Sequence, residues 1–174
     1  MIQKYTRYQI LEEFFDSPLK NFYIREISRR TKIAQPSVIN HLNSLVKDGL
    51  IIKEKKGIYP TYKSNRDNEL FKLYKKSNVI LRLKQSGLLD YISDSCQPDV
   101  IILFGSSSNA DDIEGSDIDL FVQAPEKKLT LLKYEKKLNR KISLFFEENF
   151  LRLSKELKNN IINGIILRGY LKVF

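Results

Sequence analysis

Two acidic residues, Asp117 and Asp119, are separated by a single residue and interrupt an apolar run. In an extended chain, alternate side chains lie on the same face, so the two carboxylates are expected to project side by side. Paired carboxylates are the ligands that hard divalent cations such as Mg²⁺ or Mn²⁺ prefer. The spacing therefore predicts a metal site at Asp117 and Asp119.

Ten residues separate this acidic pair from a Gly-Ser pair, Gly105 and Ser106, which directly follows another apolar run. A turn that begins at a glycine can bring bare backbone N–H groups against a phosphate. Mg²⁺ is normally shared between one or two carboxylates and substrate phosphates. The pattern therefore predicts that Gly105, Ser106 and Ser107 hold the phosphates of a nucleotide, next to an ion at Asp117 and Asp119.

The residues around both pairs resemble the nucleotidyltransferase superfamily of DNA polymerase β, and most closely its minimal nucleotidyltransferase branch. The matching sequences are Ile-Ile-Leu-Phe-Gly-Ser at residues 101–106 and Ser-Asp-Ile-Asp-Leu-Phe-Val at residues 116–122. The resemblance covers about the last eighty residues. It implies a small mixed β-sheet with helices and a catalytic role for Asp117 and Asp119. The implied reaction is transfer of a nucleoside monophosphate to a hydroxyl acceptor, with loss of pyrophosphate.

The chain also departs from that family in two places. Active members carry a third carboxylate on a later strand, and the matching strand, expected at residues 141–146, has Ser143 in that position. Glu147 or Glu148, just past this strand, is either a substitute ligand or a residue that stabilises the start of a helix. The Gly-Ser turn continues with Ser-Ser-Asn-Ala at residues 107–110, without the arginine that is usual in the minimal branch.

Two hypotheses therefore remain open. In the first, the chain is an enzyme that transfers a nucleoside monophosphate to an acceptor that the sequence does not identify. In the second, the nucleotidyltransferase-like domain has lost its chemistry and acts as a nucleotide sensor or scaffold attached to a transcription regulator. Because a third carboxylate helps to place the catalytic metal, its loss is expected to affect turnover more than nucleotide binding.

Basic residues are concentrated in the first half of the chain. The formal net charge is +9, and residues 1–90 contain 18 Lys and Arg against 9 Asp and Glu, whereas residues 91–174 contain 12 of each kind. Between residues 91 and 122 there are seven acids and no Lys or Arg. A polyanionic partner is therefore expected for the first half, and a cation with its nucleotide for the second.

The first 64 residues follow the pattern of a winged helix-turn-helix. Apolar residues at helical spacing predict three short helices, the third beginning near Pro36 and ending at Gly49, and a basic hairpin follows over residues 50–63. Residues 33–51 resemble the recognition helix and wing entry of MarR- and ArsR-like regulators. In such a module the second helix of the helix-turn-helix enters the major groove of double-stranded DNA.

Polar residues of this region are candidate DNA contacts. Amide and hydroxyl side chains on the third helix can pair with base edges, and basic side chains of the preceding helix and the hairpin can contact phosphates. The candidate base readers are Gln35, Ser37, Asn40, Asn43 and Ser44, and the candidate phosphate contacts include Arg29, Arg30, Lys55 and Lys56.

The whole pattern predicts an α+β fold with three segments. Residues 1–64 are expected to form the winged helix-turn-helix, residues 65–91 a connecting helix with a break near Ser86 and Gly87, and residues 92–174 the nucleotidyltransferase-like domain. The connecting helix carries an apolar stripe among many lysines. This stripe is expected to pack against the winged helix, the second domain or another subunit. Because two-fold DNA sites are read by two-fold proteins, we favour another subunit and expect a homodimer.

The composition points to a cytoplasmic protein. A single cysteine, Cys96, excludes an internal disulfide and fits a reducing compartment, and one His with one Cys excludes a Cys/His zinc cluster. The N-terminal residues lack the apolar core of a signal peptide, and no apolar run is long enough to cross a bilayer. We therefore expect no membrane partner.

Overall fold

The computed structural model of the chain describes residues 5–55 and 57–173. Lys56, one of the predicted phosphate contacts, lies outside the described residues. The protein has the predicted α+β fold, and its contacts divide it into two compact units, Met1–Lys75 and Lys76–Phe174. This division falls inside one helix rather than after residues 64 and 91. No helix among the described residues is long and apolar enough to cross a membrane.

The first unit is a winged helix-turn-helix built from three helices and a two-stranded antiparallel hairpin. Its elements are α1 Thr6–Asp16, α2 Ile24–Thr31, α3 Gln35–Lys47, β1 Ile51–Glu54 and β2 Thr61–Ser64. The apolar residues at helical spacing point inward, and Phe14, Leu42 and Leu45 are fully buried in one core. Phe14 and Phe22 meet edge to face with ring centroids 5.1 Å apart, an arrangement that suits their quadrupoles.

Helix α3 begins and ends where the sequence predicts. Pro36 lies in its first turn, where the missing N–H costs no hydrogen bond, and Gly49 adopts φ 72°, the left-handed conformation that commonly ends a helix. The hairpin differs from the prediction, because β2 begins only after Pro60 and leaves Ile58 and Tyr59 in the loop. Pro60 has no backbone N–H to donate to the ladder, so the strand cannot include it as an inner residue.

The predicted connecting segment consists of two helices. Helix α4 spans Glu69–Ser86 and helix α5 spans Leu88–Cys96, and Gly87 between them adopts φ 82°. The break falls at the predicted glycine, but the segment is not a separate linker. Phe71 is buried in the core of the first unit, whereas Leu83 is buried in the core of the second.

The second unit contains a four-stranded mixed sheet with helices. Its further elements are β3 Val100–Phe104, α6 Ser106–Asn109, β4 Ile118–Val122, α7 Leu132–Leu138, β5 Ile142–Phe146, a 3₁₀ turn Phe150–Arg152, α8 Lys155–Ile162 and β6 Ile165–Gly169. The strand order is β5-β4-β3-β6, in which β4 and β5 run parallel and the other two pairs run antiparallel. This is the small mixed sheet that the resemblance implies.

The two faces of the sheet have different surroundings. On one face Leu120 and Ile142 belong to the core that includes residues of α5 and α7. On the other face Phe121 packs with apolar residues of the 3₁₀ turn and α8. Because side chains alternate along a strand and partners in register share a face, Asp119 and Ser143 lie on the same face as Phe121.

Phe150, Leu153 and Leu157 have the spacing of one helix, but this segment is divided into two pieces. The Ser154 side chain accepts a hydrogen bond from the Leu157 N–H and caps α8, so a new helix begins there. Asn149 caps the preceding 3₁₀ turn in the same way, through the Leu151 N–H. Two side-chain caps therefore replace one continuous helix.

Candidate functional site

The Gly-Ser turn and the acidic pair meet at one end of the sheet. Strands β3 and β4 are antiparallel, so the end of β3 lies beside the start of β4, and Phe104 pairs with Asp119. Gly105 directly follows β3 and adopts φ 70° and ψ −156°, a conformation that is essentially restricted to glycine. A Cβ on Gly105 would lie 2.6 Å from the Asp119 Oδ2 atom. The glycine therefore allows the backbone to turn directly against the carboxylate.

The two carboxylates of the pair repel each other. Desolvation by burial raises the pKa of the Asp119 carboxyl above its usual value, and the charge of Asp117 raises it further. The guanidinium of Arg140 partly opposes both effects. Asp117 is exposed, whereas Asp119 is half-buried. A cation between the two carboxylates would relieve this repulsion.

Arg140, which precedes β5, holds the loop that carries Asp117. Its Nη1 atom donates to Asp112 Oδ2 at 2.8 Å, and its Nε atom donates to the Ser116 backbone oxygen at 2.8 Å. Its Nη2 atom donates to Ser107 Oγ at 2.8 Å and to the Asp117 backbone oxygen at 2.9 Å. The Arg140–Asp112 ion pair is buried, with side-chain exposures of 14% and 5%. One guanidinium therefore joins the Gly-Ser turn to the acidic pair.

This arginine changes two expectations from the sequence. The acidic stretch between residues 91 and 122 contains no Lys or Arg, yet Arg140 reaches it from the start of a later strand. Ser107 is expected to contact phosphate, but its side chain is buried and accepts the hydrogen bond from Arg140. The Ser107 side chain therefore has a structural role in the turn. Gly105 and Ser106 are only half-buried and remain accessible.

Ser143 lies beside Asp119 on the neighbouring strand. In the parallel pair of β4 and β5, Asp119 is in register with Ser143, and Phe121 is in register with Phe145. The rings of Phe121 and Phe145 stack with centroids 6.3 Å apart, as expected for partners on one face. Ser143 is exposed. A carboxylate at this position would face the acidic pair, and the serine cannot supply a charged ligand.

The residues present fit one divalent cation. Within residues 5–55 and 57–173, no three His, Cys, Asp or Glu side chains form a group that could hold a metal ion. Glu147 and Glu148 follow the Phe146–Val122 pair, whereas Asp119 lies near the start of β4, so these glutamates are at the opposite end of the strands. Two carboxylates with phosphate oxygens completing the coordination match the way in which Mg²⁺ is usually bound.

The open side of α3 carries Asn40 and Asn43. The buried residues of the helix occupy one side, and at 3.6 residues per turn these two asparagines lie on the opposite side. Both are exposed. Ser37 and Ser44 are half-buried towards one flank, and Gln35 is exposed on the other flank. Asn40, Asn43, Ser37 and Ser44 therefore lie in one sector of the helix surface, and Gln35 lies apart from them.

The basic side chains predicted to contact phosphate differ in their interactions within the protein. Arg29 and Lys55 are exposed, and Arg29 lines a groove of about 480 Å³ formed by α2, α3 and the hairpin loop. Arg30 instead pairs with Glu13, with its Nε atom 2.9 Å from Oε2, and its guanidinium lies over the Phe22 ring. Arg30 is therefore committed to its own unit, and Arg29 and Lys55 are better placed to meet a ligand.

Two family models match the chain, one in each unit. Residues 4–53 match the family described as "Bacterial regulatory protein, arsR family", and residues 87–171 match the family described as "Polymerase beta, Nucleotidyltransferase". No curated protein matches the chain significantly. The protein is therefore a fusion of an ArsR-type DNA-binding helix-turn-helix and a nucleotidyltransferase domain of the DNA polymerase β superfamily.

Proposed function

We propose that the second unit binds a nucleoside triphosphate with one Mg²⁺ or Mn²⁺ ion and transfers its nucleoside monophosphate to a hydroxyl acceptor. Asp117 and Asp119 would hold the ion, and the backbone at Gly105 and Ser106 would hold the phosphates. The observation that carries this proposal is the distance of 2.6 Å between Asp119 Oδ2 and the position of a Cβ on Gly105. This close approach of the Gly-Ser turn to the Asp119 carboxylate supports the proposal, and so does the polymerase β match over residues 87–171.

The chemistry of the proposed transfer requires positioning more than covalent catalysis. When bound, the ion neutralises negative charge on the phosphates. The hydroxyl oxygen of the acceptor bonds to the α-phosphorus as the α–β phosphoanhydride bond breaks. Pyrophosphate leaves with the electron pair of that bond, and the hydroxyl proton passes to solvent water. Arg140 contributes by holding the backbone of Asp117, and Gly105 contributes by allowing the turn to approach Asp119.

The test of nucleotide binding is the substitution Asp119→Asn in the full chain. We expect the affinity for a nucleoside triphosphate in the presence of Mg²⁺ to fall by a factor on the order of ten or more, because the ion loses one of two charged ligands. Glu114→Gln is the matched control, since Glu114 is an exposed acid in the same loop. Titration calorimetry with each of the four common nucleoside triphosphates, with and without Mg²⁺, measures both variants. A wild-type protein that binds none of them, or a control that loses as much affinity as Asp119→Asn, contradicts the proposal.

Nucleotide sensing without turnover is a second candidate function. The serine in register with Asp119 favours it, because two-metal phosphoryl transfer uses a further carboxylate to place the catalytic metal. Wild-type protein and Ser143→Asp are each incubated with labelled nucleoside triphosphate, Mg²⁺ or Mn²⁺ and cell extract. A labelled product from the wild type supports an enzyme. Binding without product in the wild type, and product after Ser143→Asp, supports a sensor that has lost its catalytic ligand.

We further propose that the first unit binds double-stranded DNA in the cytoplasm and regulates transcription. The ArsR-type match over residues 4–53 and the basic excess of this half support the proposal. Asn40 and Asn43 would face base edges in the major groove, and the groove beside α3 would lie against the sugar-phosphate backbone. The groove is lined by residues that include Tyr23, Arg25, Arg29, Gln35, Ile39 and Tyr59.

Exposed apolar residues of the first unit support the proposed homodimer. Leu70, Leu73 and Tyr74 on α4 are 44%, 57% and 40% exposed. Tyr74 also lines a groove of about 320 Å³ together with Tyr5. Apolar side chains at this density on one helix favour burial against a second copy, and sedimentation equilibrium measures whether the protein is a dimer.

A further inference from the structure

Helix α3 carries no charged side chain before its last turn. Residues 35–46 contain no Lys, Arg, Asp or Glu, although the first half of the chain carries the whole formal net charge of +9. Lys47 is the first charged residue of the helix and lies in its last turn. Because the N-terminal part of a recognition helix contacts the base edges, neutral side chains occupy the positions that would meet the bases.

Three exposed side chains of α3 lie together, namely Ile39, Asn40 and Asn43. At 3.6 residues per turn they fall within about 100° of the helix surface, and Asn43 lies between the other two. Ile39 is 38% exposed and lines the same groove as Arg29. In the part of the chain that the structure describes, neither asparagine side chain forms a hydrogen bond. These three residues, named here the α3 patch, therefore present two free amides and one apolar side chain.

The chemistry of the α3 patch matches adenine and thymine. An asparagine amide donates and accepts at once, and adenine presents a ring-nitrogen acceptor beside an amino donor in the major groove. Thymine presents a methyl group there, which is bound by apolar contact. Guanine is most often bound by Arg or Lys, and the amino group of cytosine donates to Asp or Glu. Those four residue types are absent from residues 35–46.

We propose that the α3 patch makes the first unit selective for A·T base pairs in the major groove. Asn40 and Asn43 each bind an adenine, and Ile39 packs on the methyl group of a thymine. This inference rests on the proposed binding of double-stranded DNA and adds the base pairs that are recognised, with Ile39 as a specificity-determining residue. Ile39 to Asn43 spans roughly 6 Å at 1.5 Å per residue, about two base-pair steps of 3.4 Å, so the patch covers about three adjacent base pairs.

The first experiment measures binding of three duplexes of equal length to the full chain, at one salt concentration and without nucleotide or metal. One duplex contains only A·T pairs, one only G·C pairs and one only inosine·cytosine pairs. Inosine shows the major-groove edge of guanine but lacks the amino group that guanine places in the minor groove. We expect the Kd for the A·T duplex to be about tenfold or more below both other values, because each well-formed amide pair discriminates by about fivefold or more.

Variants of the full chain test whether the α3 patch causes this preference. Asn40→Ala/Asn43→Ala should raise the Kd for the A·T duplex about tenfold or more and change the Kd for the G·C duplex less than about twofold. Uracil in place of thymine removes the methyl group and should weaken binding by the wild type about threefold. Ile39→Ala should not respond to this exchange, because its side chain no longer reaches the methyl group.

Arg29→Gln is the matched control on the neighbouring helix. A lost phosphate contact carries no sequence information, so this variant should raise the Kd for the A·T and G·C duplexes by the same factor. All three residues of the α3 patch are exposed and alanine is the best helix former, so the patch variants keep the fold.

Three results would overturn the proposal while DNA binding itself stands. They are equal Kd values for the A·T and G·C duplexes, equal Kd values for the A·T and inosine·cytosine duplexes, and an equal loss for all three duplexes in the double asparagine variant. The second result would assign the preference to the minor groove, and the third would assign the asparagines to contacts that do not depend on sequence. Absence of binding to every duplex would instead overturn both the proposed DNA binding and this inference.

Discussion

Two acids of the candidate site, Asp112 and Asp119, are expected to affect stability differently. Asp112 is buried against Arg140, and removal of either partner leaves a buried charge without its counter-ion. Asp119 is half-buried beside Asp117, and its raised pKa means that folding disfavours its ionised form. The metal-free protein should therefore lose stability when Asp112 is neutralised, but not when Asp119 is neutralised.

We predict that Asp112→Asn lowers the free energy of unfolding by about 3 kcal/mol, as for other broken buried ion pairs. In the absence of metal, Asp119→Asn should leave that free energy unchanged or raise it. The folded-state pKa of Asp119 lies above its unfolded value, so the wild type loses stability as the pH rises through the folded pKa. Its deficit relative to Asp119→Asn should disappear as the pH falls to about 4. Metal-free thermal melts across this range measure the difference, and clear destabilisation by Asp119→Asn at neutral pH would show a structural carboxylate.

The local part of the site can be predicted from the sequence, and the part that depends on strand pairing cannot. Gly105, Asp117 and Asp119 form a pattern because a turn and an alternating strand place nearby residues together. Arg140 is 23 residues from Asp117 and reaches it only because β5 lies beside β4. In the sequence, Arg140 is distinguished only by its position just before the apolar residues of β5. Ser107 is buried where it accepts a hydrogen bond from Arg140. Its burial therefore also depends on strand pairing and cannot be predicted from the sequence.

The spacing of apolar residues predicts whether a segment is a helix or a strand better than it predicts where that element begins and ends. The three helices of the first unit and the inner strands of the sheet follow from periodicity, which tertiary packing reinforces. The ends of helices and strands depend on single residues. Strand β2 begins only after Pro60, and Ser154 caps the start of α8. The basic helix α2 shows the same limit of sequence-based prediction. The sequence does not distinguish Arg29 from Arg30, but in the fold Arg30 pairs with Glu13, whereas Arg29 is exposed.

This difference within α2 gives a prediction for DNA binding by the full chain. Arg29→Gln and Lys55→Gln should each reduce the slope of log affinity against log salt concentration by about 0.9, the value for one lost phosphate contact. Arg30→Gln should leave that slope nearly unchanged and lower the melting temperature, because it breaks the pair with Glu13. Binding to double-stranded DNA between about 50 and 200 mM salt, with melts of each variant, measures both effects. A larger slope change for Arg30→Gln than for Arg29→Gln would reverse the assignment.

At the scale of the whole molecule, the first unit extends beyond the hairpin into α4. Phe71 is 1% exposed, and its ring centroid lies 5.2 Å from that of Phe15. The sequence does not reveal this, because the apolar stripe of α4 looks continuous and does not show which core each residue joins. A fragment that ends at residue 64 therefore lacks a side chain of its own core.

We predict that the fragment of residues 1–64 is less stable than the fragment of residues 1–75 by about 3 kcal/mol or more, the usual effect of removing a buried phenylalanine. The longer fragment should bind double-stranded DNA with the salt dependence of the full chain. Chemical denaturation and binding at several salt concentrations compare the two fragments. Phe71→Ala in the longer fragment is the control, and it should reproduce most of the loss. Equal stability of the two fragments would mean that Phe71 is dispensable.

The strand order also has a consequence for synthesis of the chain. Ile102 in β3 pairs with Phe121 on one side and with Ile166 of β6 on the other. At about 5–20 residues per second, a ribosome needs roughly 3–13 s to make the residues between Ile102 and Ile166. During that interval one edge of β3 has no partner, although Ile101 and Leu103 are fully buried in the finished protein. A nascent chain with an open apolar edge can pair with other nascent chains, and this exposure ends only when β6 emerges and closes the sheet.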